Sequence, residues 1–221
     1  SKHELGRAGA HVLRKCVKKH DVVGVTGGST LAEVANQLTF SSPDPSCMFV
    51  PARGGLGENV ELQANTIAST MAKRTGGQYR LLHVPDHLGE EAYQSLMLDP
   101  NIQEIVEVIR RARIVIHGIG NALTMARRRK VDSSTIERLQ QEGAHAEAFG
   151  YYFDRAGNVV HKMPTVGLKL EDIMRTEVVI GIAGGSSKAE AIESILKFGH
   201  EDILVTDEAA AKKITERLPK E

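Results

Sequence analysis

Two cysteines are all this chain has, Cys16 and Cys47, far apart and in no C-x-x-C arrangement, so neither a disulfide framework nor a zinc site is indicated. That usage fits a reducing, cytoplasmic setting. An excess of one charge is also missing: Lys plus Arg and Asp plus Glu are both 28, for a formal net charge of zero. A domain built to coat nucleic acid ordinarily carries a basic surplus, so direct DNA contact by these residues is not indicated. No apolar run approaches the roughly 20 residues that cross a bilayer. Nor does a basic start with a hydrophobic stretch mark a signal peptide, so a soluble protein without membrane contact is expected. The sequence opens on Ser1 inside a helical pattern rather than on Met, which reads as a piece cut from something longer.

Familiar signatures are absent as well. Neither of the two glycine-rich turns described below is G-x-G-x-x-G or G-x-x-x-x-G-K-S/T, which disfavours NAD and ATP, and no G-x-S-x-G elbow occurs. His83 and His87 have i, i+4 spacing, but Pro85 between them disfavours one continuous helix, so no zinc pair is expected. No metal and no cofactor are anticipated.

What is there is alternation. With 221 residues and 41% apolar content the chain can bury the core of one large α/β domain spanning 1–221. Apolar residues fall at helical spacing over residues 2–19 and lead into the buried-strand run Val22 to Val25. Further strands are expected at Cys47 to Val50, Arg80 to Val84, Arg113 to His117, Ala146 to Phe153, Val178 to Ile182 and Ile203 to Val205. Helices are expected at Glu58 to Lys73, Ser187 to Phe198 and Asp207 to Leu218. Near-continuous Val/Ile strands between helices predict a three-layer, Rossmann-like domain with a mostly parallel sheet. Residues 151–161 break the pattern and read as a small hairpin flap turning at Ala156-Gly157-Asn158. In such folds the turns after the strands share one sheet edge, where ligands bind.

Two of those turns carry anion chemistry. Gly27-Gly28-Ser29-Thr30 follows the first strand and opens a helix. Paired glycines let the backbone approach a ligand, free N–H groups point outward at the helix start, and the helix dipole favours negative charge there. An ordinary turn with a Ser or Thr helix cap is the plainer reading, yet capping alone does not require this much glycine. Gly184-Gly185-Ser186-Ser187-Lys188 repeats the chemistry and adds a lysine at the helix start, unfavourable when merely solvated but well placed on a phosphate. Arg53, in Pro51-Ala52-Arg53-Gly54-Gly55, falls on the same expected edge, where a forked guanidinium suits a second phosphate. Gln63 sits in the first turns of a helix, able to bond sugar hydroxyls or simply to face solvent. The run Arg127-Arg128-Arg129-Lys130 reads as a solvated face, from which one arginine is in reach of the Gly118-Ile119-Gly120 turn.

Taken in order, Gly24 to Thr30, Pro51 to Gly55, Gly118 to Gly120 and Gly181 to Lys188 resemble the sugar-binding, effector-binding domain of SorC/DeoR-type bacterial transcription regulators, over essentially the whole chain. The resemblance implies a fold similar to ribose-5-phosphate isomerase and glucosamine-6-phosphate deaminase. It also implies a repressor whose amino-terminal DNA-binding domain, the part that meets operator DNA, is not in this chain. This domain would then bind a sugar phosphate and form a homo-oligomer, a dimer or tetramer. Members that govern glycolytic genes respond to fructose-1,6-bisphosphate. By the same likeness one phosphate meets Gly28, Ser29, Thr30 and Lys188, the other meets Arg53 and Arg128, and Gln63 and Glu147 hold sugar hydroxyls. No catalytic residue is expected on this reading. The rival is a sugar-phosphate isomerase or deaminase using Glu58, Glu147 or Asp154 as acid–base groups.

Overall fold

The structure, a computed structural model, describes residues 1–40, 46–54, 58–85 and 88–217, with the backbone alone for 58–62. In chain order the elements are α1 (Lys2–Cys16), β1 (Val22–Val25), α2 (Ser29–Gln37), β2 (Met48–Pro51), β3 (Arg53–Gly54), α3 (Glu58–Thr75) and β4 (Gln78–Tyr79). Then come α4 (Glu90–Met97), α5 (Pro100–Arg110), β5 (Ile114–Gly118), β6 (Gly120–Asn121), α6 (Ala122–Arg128), α7 (Ser133–Gln141), β7 (Ala144–Ala148) and β8 (Tyr151–Asp154). The chain continues through β9 (Val159–Lys162), β10 (Val166–Gly167), α8 (Leu170–Arg175), β11 (Val178–Ile182), α9 (Ala189–Phe198), β12 (Ile203–Val205) and α10 (Glu208–Glu216).

Six strands form one sheet in the order β12-β11-β5-β1-β2-β4, every pair parallel. The two-residue period of its strands sorts side chains to two cores. Val23, Val25, Ile114, Ile116, Ile180 and Ile182 meet Leu13, Leu31, Val34 and Met71 from α1, α2 and α3. Val115 and Val179 face the other way, toward Ile105 and Ile109 of α5 and Ile192 and Ile195 of α9. Such side chains each contribute about 1.5–3 kcal/mol when removed from water. At the amino end of β5, Arg113 grips Asp21 through two bonds of 2.9 and 2.7 Å and also donates to the Cys16 carbonyl, tying the end of α1 to the sheet.

The departures from the sequence reading have local causes. The strand expected over 80–84 stops at Tyr79, because the Leu82 N–H and C=O bond the Asn65 side-chain amide at 3.1 Å each instead of a neighbouring strand. The strand expected over 146–153 is two strands, β7 and β8, broken where Phe149 and Gly150 take positive φ of 58° and 81°. The hairpin over 151–161 is present as β8 and β9, and it belongs to a four-stranded antiparallel sheet ordered β6-β7-β8-β9. The third helix runs on to Thr75, and a 3-10 turn at Ser186–Lys188 precedes α9. A two-stranded pair, β3 with β10, sets Arg53 opposite Gly167.

Candidate functional site

The strand order places β1 between β5 and β2, so the chain leaves β1 to one side and later returns to the other. The turns after β1 and β5 diverge at this switch point, where open parallel sheets form a crevice. A cavity of about 790 Å³ lies there. Thr26 stitches its floor, since its hydroxyl accepts from the Gly118 amide at 3.2 Å.

Gly28 caps α2 with φ 112° and ψ 163°, a backbone state that suits glycine, and no side chain caps the helix. The first amides of α2 are therefore open to the cavity, which Gly27, Gly28, Ser29, Thr30 and Leu31 line. Gln63 of α3 accepts from the Gly28 amide at 3.2 Å and stands in the same wall. Facing this turn are Gly184 and Gly185 with Lys188. Gly185 has φ 96°, and its amide donates to Asp207 at 2.8 Å. That carboxylate also caps α10 through Ala210, so both of its oxygens are engaged by backbone amides.

Three cations converge on the space. Lys2 of α1 donates to the Ser29 hydroxyl at 2.7 Å, Lys188 donates to the Ile119 carbonyl at 3.2 Å, and Arg128 lies at the end of α6. Burial pushes the Lys188 ammonium below the ordinary lysine range, the positive charges of Arg128 and Lys2 add to that, and Glu147 opposes it. A half-buried lysine between like charges is what an anion would relieve.

Arg129 and Glu147 stand in the wall as well. Arg129 is buried and donates to Glu147 Oε1 at 2.7 Å, and the Gly150 amide reaches the same oxygen at 2.8 Å. Phe149 also lines the cavity, and its ring stacks at 4.3 Å on that of His117. His117 is fully enclosed and paired with the buried Glu201 carboxylate, while its Nδ1 lies 2.8 Å from the Gly118 carbonyl. Burial works against the His117 charge, but Glu201 outweighs it and the histidine is shifted upward.

Two residues expected at the site stand elsewhere. Arg53 is not among those lining the cavity: its guanidinium is buried, donates to the Phe149 carbonyl and lies over the Tyr151 ring. Pairing of β3 with β10 turns that side chain inward, and burial pulls it down to about 10, where it is still a cation at neutral pH. Ser186 is exposed beside the second turn and is not in the lining. Of the rival's acid–base candidates, Asp154 accepts the Ala156 and Asn158 amides in the hairpin turn, and the Glu58 side chain, like Gly55 and His87, lies outside the described residues.

Comparison with known proteins decides the family. The model described as "Putative sugar-binding domain" (Sugar-bind) matches residues 1–216. The chain belongs to this sugar-binding domain family, of the SorC/DeoR-type transcription regulators. It is 50% identical over 214 residues to the central glycolytic genes regulator of Priestia megaterium, and 46% identical over 213 residues to that of Bacillus subtilis. Each alignment covers 96% of this chain and 63% of the relative, so the chain spans somewhat under two thirds of their length. A solved "putative SorC family transcriptional regulator from Enterococcus faecalis" matches with a TM-score of 0.87 and 42% identity, covering 96% of this chain and 89% of that one. These relatives are transcription regulators, not enzymes.

Within this sugar-binding domain, sequence reasoning missed Lys2, Phe149 and Asp207, and it left Arg129 undistinguished among the three arginines of its run. Asp207 carried a signal, since Asp ahead of a helical run is a capping residue and its turn follows a strand of the same sheet. Arg129 carried none that separates it from Arg127 and Arg128. No helix among the described residues is long and apolar enough to cross a membrane, and none of their His, Cys, Asp and Glu groups is arranged to hold a metal.

Proposed function

We propose that this sugar-binding domain senses a phosphorylated sugar, fructose-1,6-bisphosphate foremost, for a cytoplasmic repressor of glycolytic genes. The observation that carries the reading is the convergence of Lys2, Arg128 and Lys188 on a cavity into which the uncapped amides of α2 open. Backbone amides with a nearby lysine suit one phosphate, and a forked guanidinium suits another. Arg128 and Arg129 both line the cavity, and we assign this role to Arg128 because Arg129 is paired with Glu147, while Arg53 holds the carbonyl of Phe149, another lining residue. Gln63 and Glu147 supply partners for sugar hydroxyls. The likeness to the glycolytic regulators favours the bisphosphate.

Binding then biases how copies of the domain pack and how a DNA-binding portion engages its operator. A ligand switches only an equilibrium whose states it binds unequally. An isomerase or deaminase is not favoured, because the relatives are regulators and Asp154 is occupied in a turn. Calorimetry with fructose-1,6-bisphosphate tests the site: binding to the wild type is expected, with weakening by at least about tenfold, or roughly 1.4 kcal/mol, in Lys188→Ala and in Arg128→Ala. Tight binding unchanged in both variants would sink the assignment.

A further inference from the structure

A neutral total hides a segregated surface. Residues 1–20 hold six Lys or Arg and one Glu, a surplus of five positive charges in a chain whose formal net charge is zero. Most of them lie on α1. His3, Arg7, His11 and Lys15 recur every four residues, which stacks them along one helix face at steps of about 6 Å, and all four are exposed. Lys18 and Lys19 carry the stripe past the helix end, and the half-buried Arg14 flanks it. Arg113, Arg129 and Arg217 each have a carboxylate partner. Among the described residues, Arg7, Arg14, Lys15, Lys18 and Lys19 have no such ion pair; Arg7 lies 3.5 Å from the His3 ring, and Glu33 of α2 lies 3.6 Å from His3 at the amino end of the stripe.

The helix cannot turn this face away. A Cβ at Gly6 would stand 2.7 Å from Glu33 on α2, and one at Gly9 would stand 2.6 Å from Ile182 on β11, so α1 is seated too closely on both to roll. Leu5, Ala10 and Leu13 are buried in the core beneath it. A basic amphipathic helix suits a membrane surface when its apolar side can insert, and here that side is already occupied. What remains is a row of unpaired cations, which a polyanion of closely spaced charges complements. Duplex DNA carries one negative charge per roughly 1.7 Å of its axis. The relatives of this chain are transcription regulators, which work beside that polyanion.

We propose that the outer face of α1 and its extension, from Arg7 to Lys19, is a contact surface for the phosphate backbone of duplex DNA, engaged without regard to base sequence. This surface is independent of the effector reading, since none of its cations lines the cavity. The neutral sum that disfavoured DNA contact averages the stripe with the acids of α4, α5 and the link between them. Glu90, Glu91, Asp99, Glu104 and Glu107 stand there with no lysine or arginine among them, and α5 packs on the opposite core from α1. That acidic segment on a second copy is the competing occupant.

Fluorescence anisotropy of this chain with a short labelled DNA duplex of arbitrary sequence tests the surface. Binding is expected at low salt, with log K falling against log salt at a slope of about −4, as for four or five neutralised phosphates. Arg7→Glu/Lys15→Glu/Lys18→Glu should weaken binding by at least about tenfold and flatten the slope by about 3. Arg155→Glu/Lys212→Glu/Lys213→Glu makes the same change in net charge at exposed positions elsewhere and should keep the wild-type slope. Equal loss in both triple variants, or no binding by the wild type at low salt, overturns the proposal. Lysine acylation with and without the duplex, read by mass spectrometry on the wild type, needs no variant to fold. Protection is expected at Lys15, Lys18 and Lys19 and not at Lys212 and Lys213, and uniform labelling overturns the surface. If the α1 triple instead breaks up a self-associated form in sedimentation while duplex binding stays at the wild-type level, a second copy is the occupant and DNA is not.

Discussion

The Arg53 guanidinium sits 4.6 Å from the centre of the Tyr151 ring while donating to the Phe149 carbonyl, so one buried cation spans the turn that joins β7 to β8. Phe149 is a non-glycine residue at φ 58°, a conformation that persists only when its surroundings impose it. Arg53→Ala removes a charged hydrogen bond and a cation–π contact, and is expected to cost about 2–4 kcal/mol in denaturant unfolding. It should also weaken ligand binding through Phe149. A variant as stable and as tight as the wild type would show that the turn holds itself.

Lys188 sets a pH limit on binding. A phosphate is held by the ammonium form, and burial together with Arg128 and Lys2 lowers the pH at which that form is lost. Affinity for fructose-1,6-bisphosphate should therefore fall on the alkaline side at a lower pH than an ordinary lysine would dictate. In Lys188→Met the affinity should be lower throughout and its alkaline decline flatter. Titrations at constant ionic strength read both effects.

The His117–Glu201 pair gives stability its own pH dependence. With the folded His117 raised above its unfolded value of 6.5, its contribution is fully present below that value and is lost as pH rises through the folded one. Glu201→Gln strands the buried imidazolium, costing about 3 kcal/mol at acid pH and flattening this dependence. Thermal unfolding across a pH series checks the sign: a wild type that gains stability over that window contradicts it.

Gly28→Ala separates backbone strain from crowding. An added Cβ would meet nothing within 4 Å, so any loss comes from φ 112° itself, on the order of 1–3 kcal/mol. The α2 amides would turn with the backbone, and phosphate affinity should drop along with the melting temperature. Unchanged affinity for inorganic phosphate would remove those amides from the binding site.

What the residues announced and what they concealed divide along the range of the interactions. β1, β5, β11 and β12 stand within a residue or two of the sequence reading, because short near-continuous runs of Val, Ile and Leu are a local signal. The turns at Gly27–Thr30 and Gly184–Lys188 were legible for the same reason. Arg53 and Arg129 were not. Arg53 is turned inward by a two-residue pairing with Gly167, distant in sequence, and Arg129 differs from its exposed neighbours only because β7 brings Glu147 to it. Leu82 shows a third kind of concealment: a strand-like run whose backbone bonds are taken by one asparagine.

The cavity joins a turn near the start of the chain to one near its end, across the central strand β5. No partly folded chain that lacks β11 possesses both halves. A ligand that needs both has nothing to hold until the long-range parallel pairings are complete, and these are the slow part of folding such a topology. Its stabilisation should therefore appear almost wholly as slower unfolding, leaving the refolding rate unchanged. In kinetic terms the effector acts as a late clasp on a finished domain.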